Sequence, residues 1–164
     1  MRTNLTSQIT LNRVSTKYYK PENAVERSVL TRFEKVPTDI YESVDEGVAH
    51  IANEIAGRIQ DRQREGKFFV IGAGTGASLR PLYAELVRKH KDEGLSFRNV
   101  VIFNLYEYYP LAPESAGSSF TQLKDLFVDQ IDIDKQNVFT IDGSIPQEAI
   151  LEYCRLYEQR LQTF

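Results

Sequence analysis

Two short segments of this sequence carry residue types suited to chemistry. The first is Gly72-Ala73-Gly74-Thr75-Gly76-Ala77-Ser78. Glycine lets backbone N–H groups approach an anion closely. A helix that starts at such a run adds partial positive charge, so phosphate is the natural ligand. Thr75 and Ser78 add hydroxyl donors. The alternative is a tight strand-to-helix turn that holds nothing. The second segment is Asn104-Leu105-Tyr106-Glu107-Tyr108-Tyr109. Glu107 is of the type that acts as a general base or accepts hydrogen bonds from sugar hydroxyls. The tyrosines are suited to line a sugar pocket. The alternative is a loop whose tyrosines pack on the core edge and whose glutamate is solvated.

Other phosphate motifs fit less well. A P-loop needs Lys followed by Ser or Thr after its glycines, and no such pair follows this run. Gly72-Ala73-Gly74-Thr75-Gly76-Ala77 does satisfy the alanine form of the dinucleotide fingerprint. That fold also needs an acid at the end of the next strand, roughly 20 residues on. Asn104 stands there instead, 28 residues beyond Gly76, and Glu107 comes later still.

The elements that must position these segments are legible from periodicity. Ile40, Val44, Val48, Ile51, Ile55 and Ile59 recur at spacings of three and four. They predict one helix capped by Thr38 or Asp39 and ended at Gly66. Phe68-Phe69-Val70-Ile71 reads as a strand covered on both faces. A helix follows from near Leu79 to Gly94, with Leu82, Leu86 and Val87 inward. Val100–Phe103 is the next strand, closed by Asn104. Ser118 is the expected N-cap of a helix burying Phe120, Leu123 and Phe127. Val138–Ile141 is a third strand, followed by a turn at Asp142-Gly143. Pro146 suits the start of a last helix striped by Ile150, Cys154, Tyr157 and Leu161. Short strands alternating with helices predict an α/β fold with a doubly wound, mostly parallel sheet. Both candidate segments then lie at the strands' carboxyl ends, where such folds bind ligands. Residues 1–38, interrupted by Pro21 and Pro37, form an N-terminal arm, and 39–164 the α/β part.

Composition excludes several classes. The 164 residues suffice for one domain with a real core, and 41% apolar with 26% charged residues is ordinary for a globular protein. A net charge of −3 gives no general field for nucleic acid or an anionic membrane. The single cysteine, Cys154, excludes an internal disulfide and fits a reducing compartment. Apolar runs are too short for a membrane span. The first 20 residues carry Arg2, Arg13, Lys17 and Lys20 and no acid, but no apolar signal core. The expectation is a cytoplasmic protein with an ordered or semi-ordered N-terminal arm, suited to pack on another subunit; a transit peptide is the alternative.

Together the two segments resemble a known family. The run from Phe69 to Leu161 is similar to the N-terminal half of glucosamine-6-phosphate deaminase (isomerase), a family that also resembles 6-phosphogluconolactonase. The matching pieces begin with Thr75-Gly76 before Ser78, then Leu82-Tyr83 and Glu85-Leu86. Lys91-Asp92-Glu93-Gly94-Leu95-Ser96-Phe97-Arg98-Asn99-Val100-Val101 is close to the family's KEGLSFKNVV stretch. Phe103-Asn104-Leu105 leads to Glu107-Tyr108, and Ile131-Asp132-Ile133-Asp134, Asn137-Val138, Asp142-Gly143 and Tyr157-Glu158 follow in the family's order. Arg32-Phe33-Glu34-Lys35-Val36-Pro37 resembles long bacterial members with an additional C-terminal domain.

The resemblance implies a Rossmann-like domain, truncated, and a reaction that opens a sugar ring, isomerises aldose to ketose through an enediol and expels ammonia. It places Gly74, Thr75, Gly76 and Ser78 around the substrate phosphate and Asn104 and Ser118 near the sugar. Glu107 matches the glutamate of the family's Asn-[Leu/Met]-Asp-Glu-Tyr motif. Three departures stand out. The family's proton-transferring aspartate falls on Tyr106, and a phenol with a pKa near 10 is a poor base at neutral pH. The tyrosine common after the matched serine is Ser119 here. The stretch holding the ring-opening histidine lies beyond Phe164, and neither His50 nor His90 takes that role; both read as solvated or helix-face histidines.

Three functions follow as expectations: a deaminase fragment, a non-catalytic phosphosugar-binding or regulatory paralogue, or a lactonase-like hydrolase. A dinucleotide oxidoreductase is a distant fourth. The expected partner is a small-molecule sugar phosphate, with no metal, cofactor, nucleic acid or membrane. Open sheet edges predict homo-oligomers.

Overall fold

The computed structural model describes residues 21–36 and 38–164. The basic residues of the first 20 positions and the expected break at Pro37 lie outside the described residues. Contacts divide the chain into two units at Gly47/Val48.

In the first unit, α1 (Ala24–Thr31) is capped by Asn23, whose side chain accepts from the Glu26 N–H at 2.9 Å. Glu26 returns the bond to the Glu22 N–H at 2.8 Å. The same device opens α2 (Val44–Arg64). Ser43 Oγ accepts from the Glu46 N–H at 3.1 Å, and Glu46 accepts from the Glu42 N–H at 3.0 Å. This reciprocal cap satisfies orphan donors at the helix start. It corrects the expected start at Ile40 and the expected cap at Thr38 or Asp39.

The second unit runs from Val48. Along α2, Ala52 and Ile59 are fully buried and Ile55 and Ala56 pack beside them, while Ile51 turns outward. Gly66 ends the segment at φ 68°, a left-handed turn that favours glycine. Strand β1 (Phe69–Ala73) leads through the glycine run and a single 3-10 turn, Ala77–Leu79, into α3 (Arg80–Glu93). Gly94, at φ 73°, closes α3. Strand β2 (Val100–Asn104) is buried at every position. Ser118 caps α4 (Ser119–Leu126) by accepting from the Thr121 N–H. Strand β3 is only Val138–Phe139, shorter than the expected Val138–Ile141, and α5 spans Ile150–Leu161.

The sheet is parallel, in the order β1-β2-β3, with Phe69 opposite Val100 and Ile102 opposite Val138. Strand alternation sorts β2 between two layers. Val100 and Ile102 join Ala52, Ile59, Leu86, Leu123 and Phe127 in the main core, where Tyr83 stacks on Phe127 at 4.9 Å. Phe103 faces the other way, stacking on Phe139 at 4.7 Å and meeting Tyr157 of α5 edge-on. Helices thus flank a parallel sheet, the α/β architecture expected.

Two details differ from the expected stripes. On α5 the inward residues are Ile150, Tyr153 and Tyr157, whereas Cys154 and Leu161 are exposed. Tyrosines replace aliphatics there because their hydroxyls reach backbone. Tyr153 donates to the Thr140 carbonyl, and Tyr157 to the Asn104 carbonyl at 2.8 Å. His90 is half-buried, its Nδ1 2.7 Å from the Leu95 carbonyl. No helix among the described residues is long and apolar enough to cross a membrane.

Candidate functional site

The carboxyl ends of β1 and β2 bring the two sequence segments together. The ladder continues one step past the strands, because Leu105 N–H donates to the Ala73 carbonyl at 2.9 Å. Tyr83 of α3 donates to the Gly74 carbonyl at 2.6 Å and anchors the glycine run from beneath. Burial pushes this phenol up to about 12, which suits a permanent donor. Tyr83 is a site residue that the spacing analysis did not single out. Its signal was its place in the matched Leu82-Tyr83 pair.

Thr75 is the meeting point. Its N–H donates to the Tyr106 hydroxyl at 3.0 Å, and its Oγ1 lies 3.0 Å from the same oxygen. Thr75 Oγ1 is also 2.9 Å from Ser119 Oγ. Tyr106 therefore folds back across the glycine run. A Cβ placed on Gly74 would come within 3.1 Å of the Tyr106 ring, so the glycine makes room for it. Hydrogen bonds from the Thr75 side chain and backbone hold the Tyr106 phenol below its ordinary range. Gly76 caps the following turn with no side-chain bond. Gly76 and Ser78 are both exposed, just beyond the carboxyl end of β1.

Glu107 sits differently. Its Oε2 accepts from Ser118 Oγ at 2.7 Å and from the Phe120 N–H at 3.1 Å. Its Oε1 accepts from the Ser119 N–H at 2.8 Å and the Tyr108 N–H at 2.9 Å. Burial raises the pKa of this carboxyl, but the four donors outweigh it and hold it below the usual carboxylate range. The anion lies on the first N–H groups of α4, where charge is favoured. A low-pKa carboxylate with four donors is a good fixed anion and a weak proton acceptor.

Asn104 and Ser118 are sealed inside, 1% and 0% exposed. Asn104 Nδ2 donates to the Tyr106 carbonyl at 3.1 Å, and its Oδ1 is buried without a partner among the described residues. Ser118 Oγ joins Glu107 to the α4 cap. Both hold the loop's shape and neither reaches the surface. The described residues contain no cluster of three or more metal-ligating side chains. Open hollows lined by Arg58, Arg62, Phe68 and Phe164 lie at the other end of β1 from the glycine run.

This fold and this loop pair have known counterparts. Residues 42–164 match the model of the glucosamine-6-phosphate isomerase/6-phosphogluconolactonase family, and the chain belongs to that family. A glucosamine-6-phosphate deaminase-like protein of Bacteroides thetaiotaomicron is 59% identical over the whole chain, which spans 25% of that protein. Glucosamine-6-phosphate isomerase of Candida albicans is 33% identical over 76% of the chain and 48% of its own length. Among solved structures, a monomeric glucosamine-6-phosphate deaminase superposes with a TM-score of 0.68 at 28% identity, covering 75% of this chain and 48% of the other. The 6-phosphogluconolactonase of Thermotoga maritima shares the fold, with a TM-score of 0.56 at 23% identity over 71% of this chain and 50% of the other. The chain thus spans between a quarter and about half of the relatives it matches.

Proposed function

We propose that this chain supplies the phosphosugar cradle of a cytoplasmic, amino-sugar-metabolising protein, and that its ligand is glucosamine 6-phosphate. The observation that carries the reading is the convergence of Thr75, Tyr106 and Ser119 at the carboxyl ends of two parallel strands, beside the exposed Gly76 and Ser78. The names of the relatives agree with it. In this reading Gly74, Thr75, Gly76 and Ser78 face the phosphate. Asn104, Ser118 and Glu107 are positioning residues that fix the second loop. No metal or cofactor takes part. Titration calorimetry with glucosamine 6-phosphate tests the proposal. Saturable binding that Thr75→Ala weakens at least tenfold is expected, and absence of heat at millimolar ligand would sink it.

A second reading is favoured by one observation. The position of the family's proton-transferring aspartate holds Tyr106, whose oxygen is tied to Thr75. The chain then binds the phosphosugar without the deaminase chemistry, as a sensor or regulatory paralogue. Lactone hydrolysis needs no enediol base and is the remaining alternative. A lactonase assay separates it from both.

A further inference from the structure

We propose that Tyr106 is an internal placeholder in the ligand site: its phenol occupies the Thr75 donors in the free protein, and an incoming anionic oxygen displaces it by side-chain rotation alone. The inference rests on the reading of the glycine run as a phosphosugar cradle.

The geometry separates what is fixed from what can move. The backbone around Tyr106 is pinned on both sides. Asn104 Nδ2 holds the Tyr106 carbonyl at 3.1 Å, Leu105 N–H is on the Ala73 carbonyl, and Glu107 is clamped by four donors. The side chain is not pinned in the same way. It is 41% exposed, and its ring neighbour Tyr108, edge-on at 6.4 Å, is 60% exposed. Among the described residues its hydroxyl meets the Thr75 N–H and Oγ1 and the Ser119 hydroxyl, which Thr75 Oγ1 also contacts. Exposed side chains change rotamer in picoseconds to nanoseconds, so such a swing needs no loop opening.

The replaced partner is weaker than the incoming one. A neutral phenol oxygen on a backbone N–H makes an ordinary hydrogen bond, whereas an oxyanion makes one roughly twice as strong. The phenol therefore satisfies the loop donors when the site is empty and yields when an anion arrives. Its cost to the ligand is a population factor, because apparent affinity falls by the fraction of protein in the open state. Two modest hydrogen bonds correspond to a factor of about ten.

The test compares the wild-type chain with Tyr106→Phe, which keeps the ring and removes the hydroxyl. Inorganic phosphate and glucosamine 6-phosphate are titrated while the Thr75 amide resonance is followed. About tenfold tighter binding of both probes by Tyr106→Phe is expected, with the Thr75 amide already displaced in the unliganded variant. Equal or weaker binding, with Thr75 still responding to the probes, overturns the placeholder and leaves the cradle standing. No response in either protein overturns the cradle and the placeholder with it. The ring resonances of Tyr106 in the wild type give a check independent of the variant's folding. They move toward solvent-exposed values on saturation with phosphate, and ring signals that stay unchanged at saturation overturn the proposal.

Discussion

Tyr106 and Glu107 are neighbours in the chain and do opposite things. Glu107 points down onto α4, where four donors make it a fixed anion. Tyr106 points up across the glycine run, and its oxygen stands on Thr75. If the second reading is right, deaminase chemistry is missing because a carboxylate is missing at 106. Tyr106→Asp, in a chain extended to the length of the curated relatives, is then expected to raise ammonia release from glucosamine 6-phosphate. An added base of this kind contributes on the order of a hundredfold. An unchanged rate after the substitution counts against degeneration of the base as the explanation.

At the scale of elements, the short helix α4 depends on its cap. Eight residues are too few to be stable in isolation, so the first turn must be satisfied from outside. Ser118 and Glu107 do this together. Glu107→Gln turns one acceptor oxygen into a donor facing backbone N–H groups. A stability loss of about 2 kcal/mol is expected, read as a fall in Tm of roughly 5 °C. The pH dependence has a definite sign. Because the folded carboxyl is held below its ordinary value of 4.5, its contribution is complete above about pH 4.5 and is lost as the pH falls through the lower folded value. Asp132 adds in the same sense. Burial raises its carboxyl, but the Phe97 N–H, Ser96 hydroxyl, His90 and Arg98 outweigh this. Thermal melts from pH 7 to pH 3 are expected to fall less steeply for Glu107→Gln than for the wild type. Parallel curves for the two proteins contradict this role for Glu107.

Across the whole molecule, what could be read in advance was local. Gly66 and Gly94 terminate helices and Ser118 caps one, because each needs only its own turn. The short apolar runs gave the parallel strands, but only β2 is covered on both faces; β1, which reads the same, keeps Val70 and Gly72 exposed on one face. The matched Gly94–Val101 stretch proves to hold the fold: Asp132 accepts from Ser96 and Phe97 in it, and Asn99 reaches the Ile59 carbonyl at 3.1 Å. What stayed hidden was long-range. The Thr75–Tyr106 bond spans 31 residues and the Thr75–Ser119 bond 44, and no spacing rule reaches so far. The Ser43 cap was missed because the apolar spacing of Ile40 ran on past the true helix start. The roles of Asn104 and Ser118 depend on burial, which residue type does not report.

The molecule also exposes apolar surface. Phe68 just before β1, Val70 within it and Leu105 are 48%, 37% and 62% exposed, and among the described residues β1 pairs on one side only. Association of copies through this face is expected, with a sedimentation coefficient that rises with concentration; a constant monomer value contradicts it. The central claim is that the glycine run and the second loop form one phosphosugar site. Mapping backbone amide shifts while adding glucosamine 6-phosphate tests it most directly. The account predicts saturable shifts concentrated at Gly74, Thr75, Gly76, Ser78 and Tyr106. Saturating ligand that leaves these amides unmoved, or shifts confined to the Arg58–Phe68 end of the sheet, would contradict it.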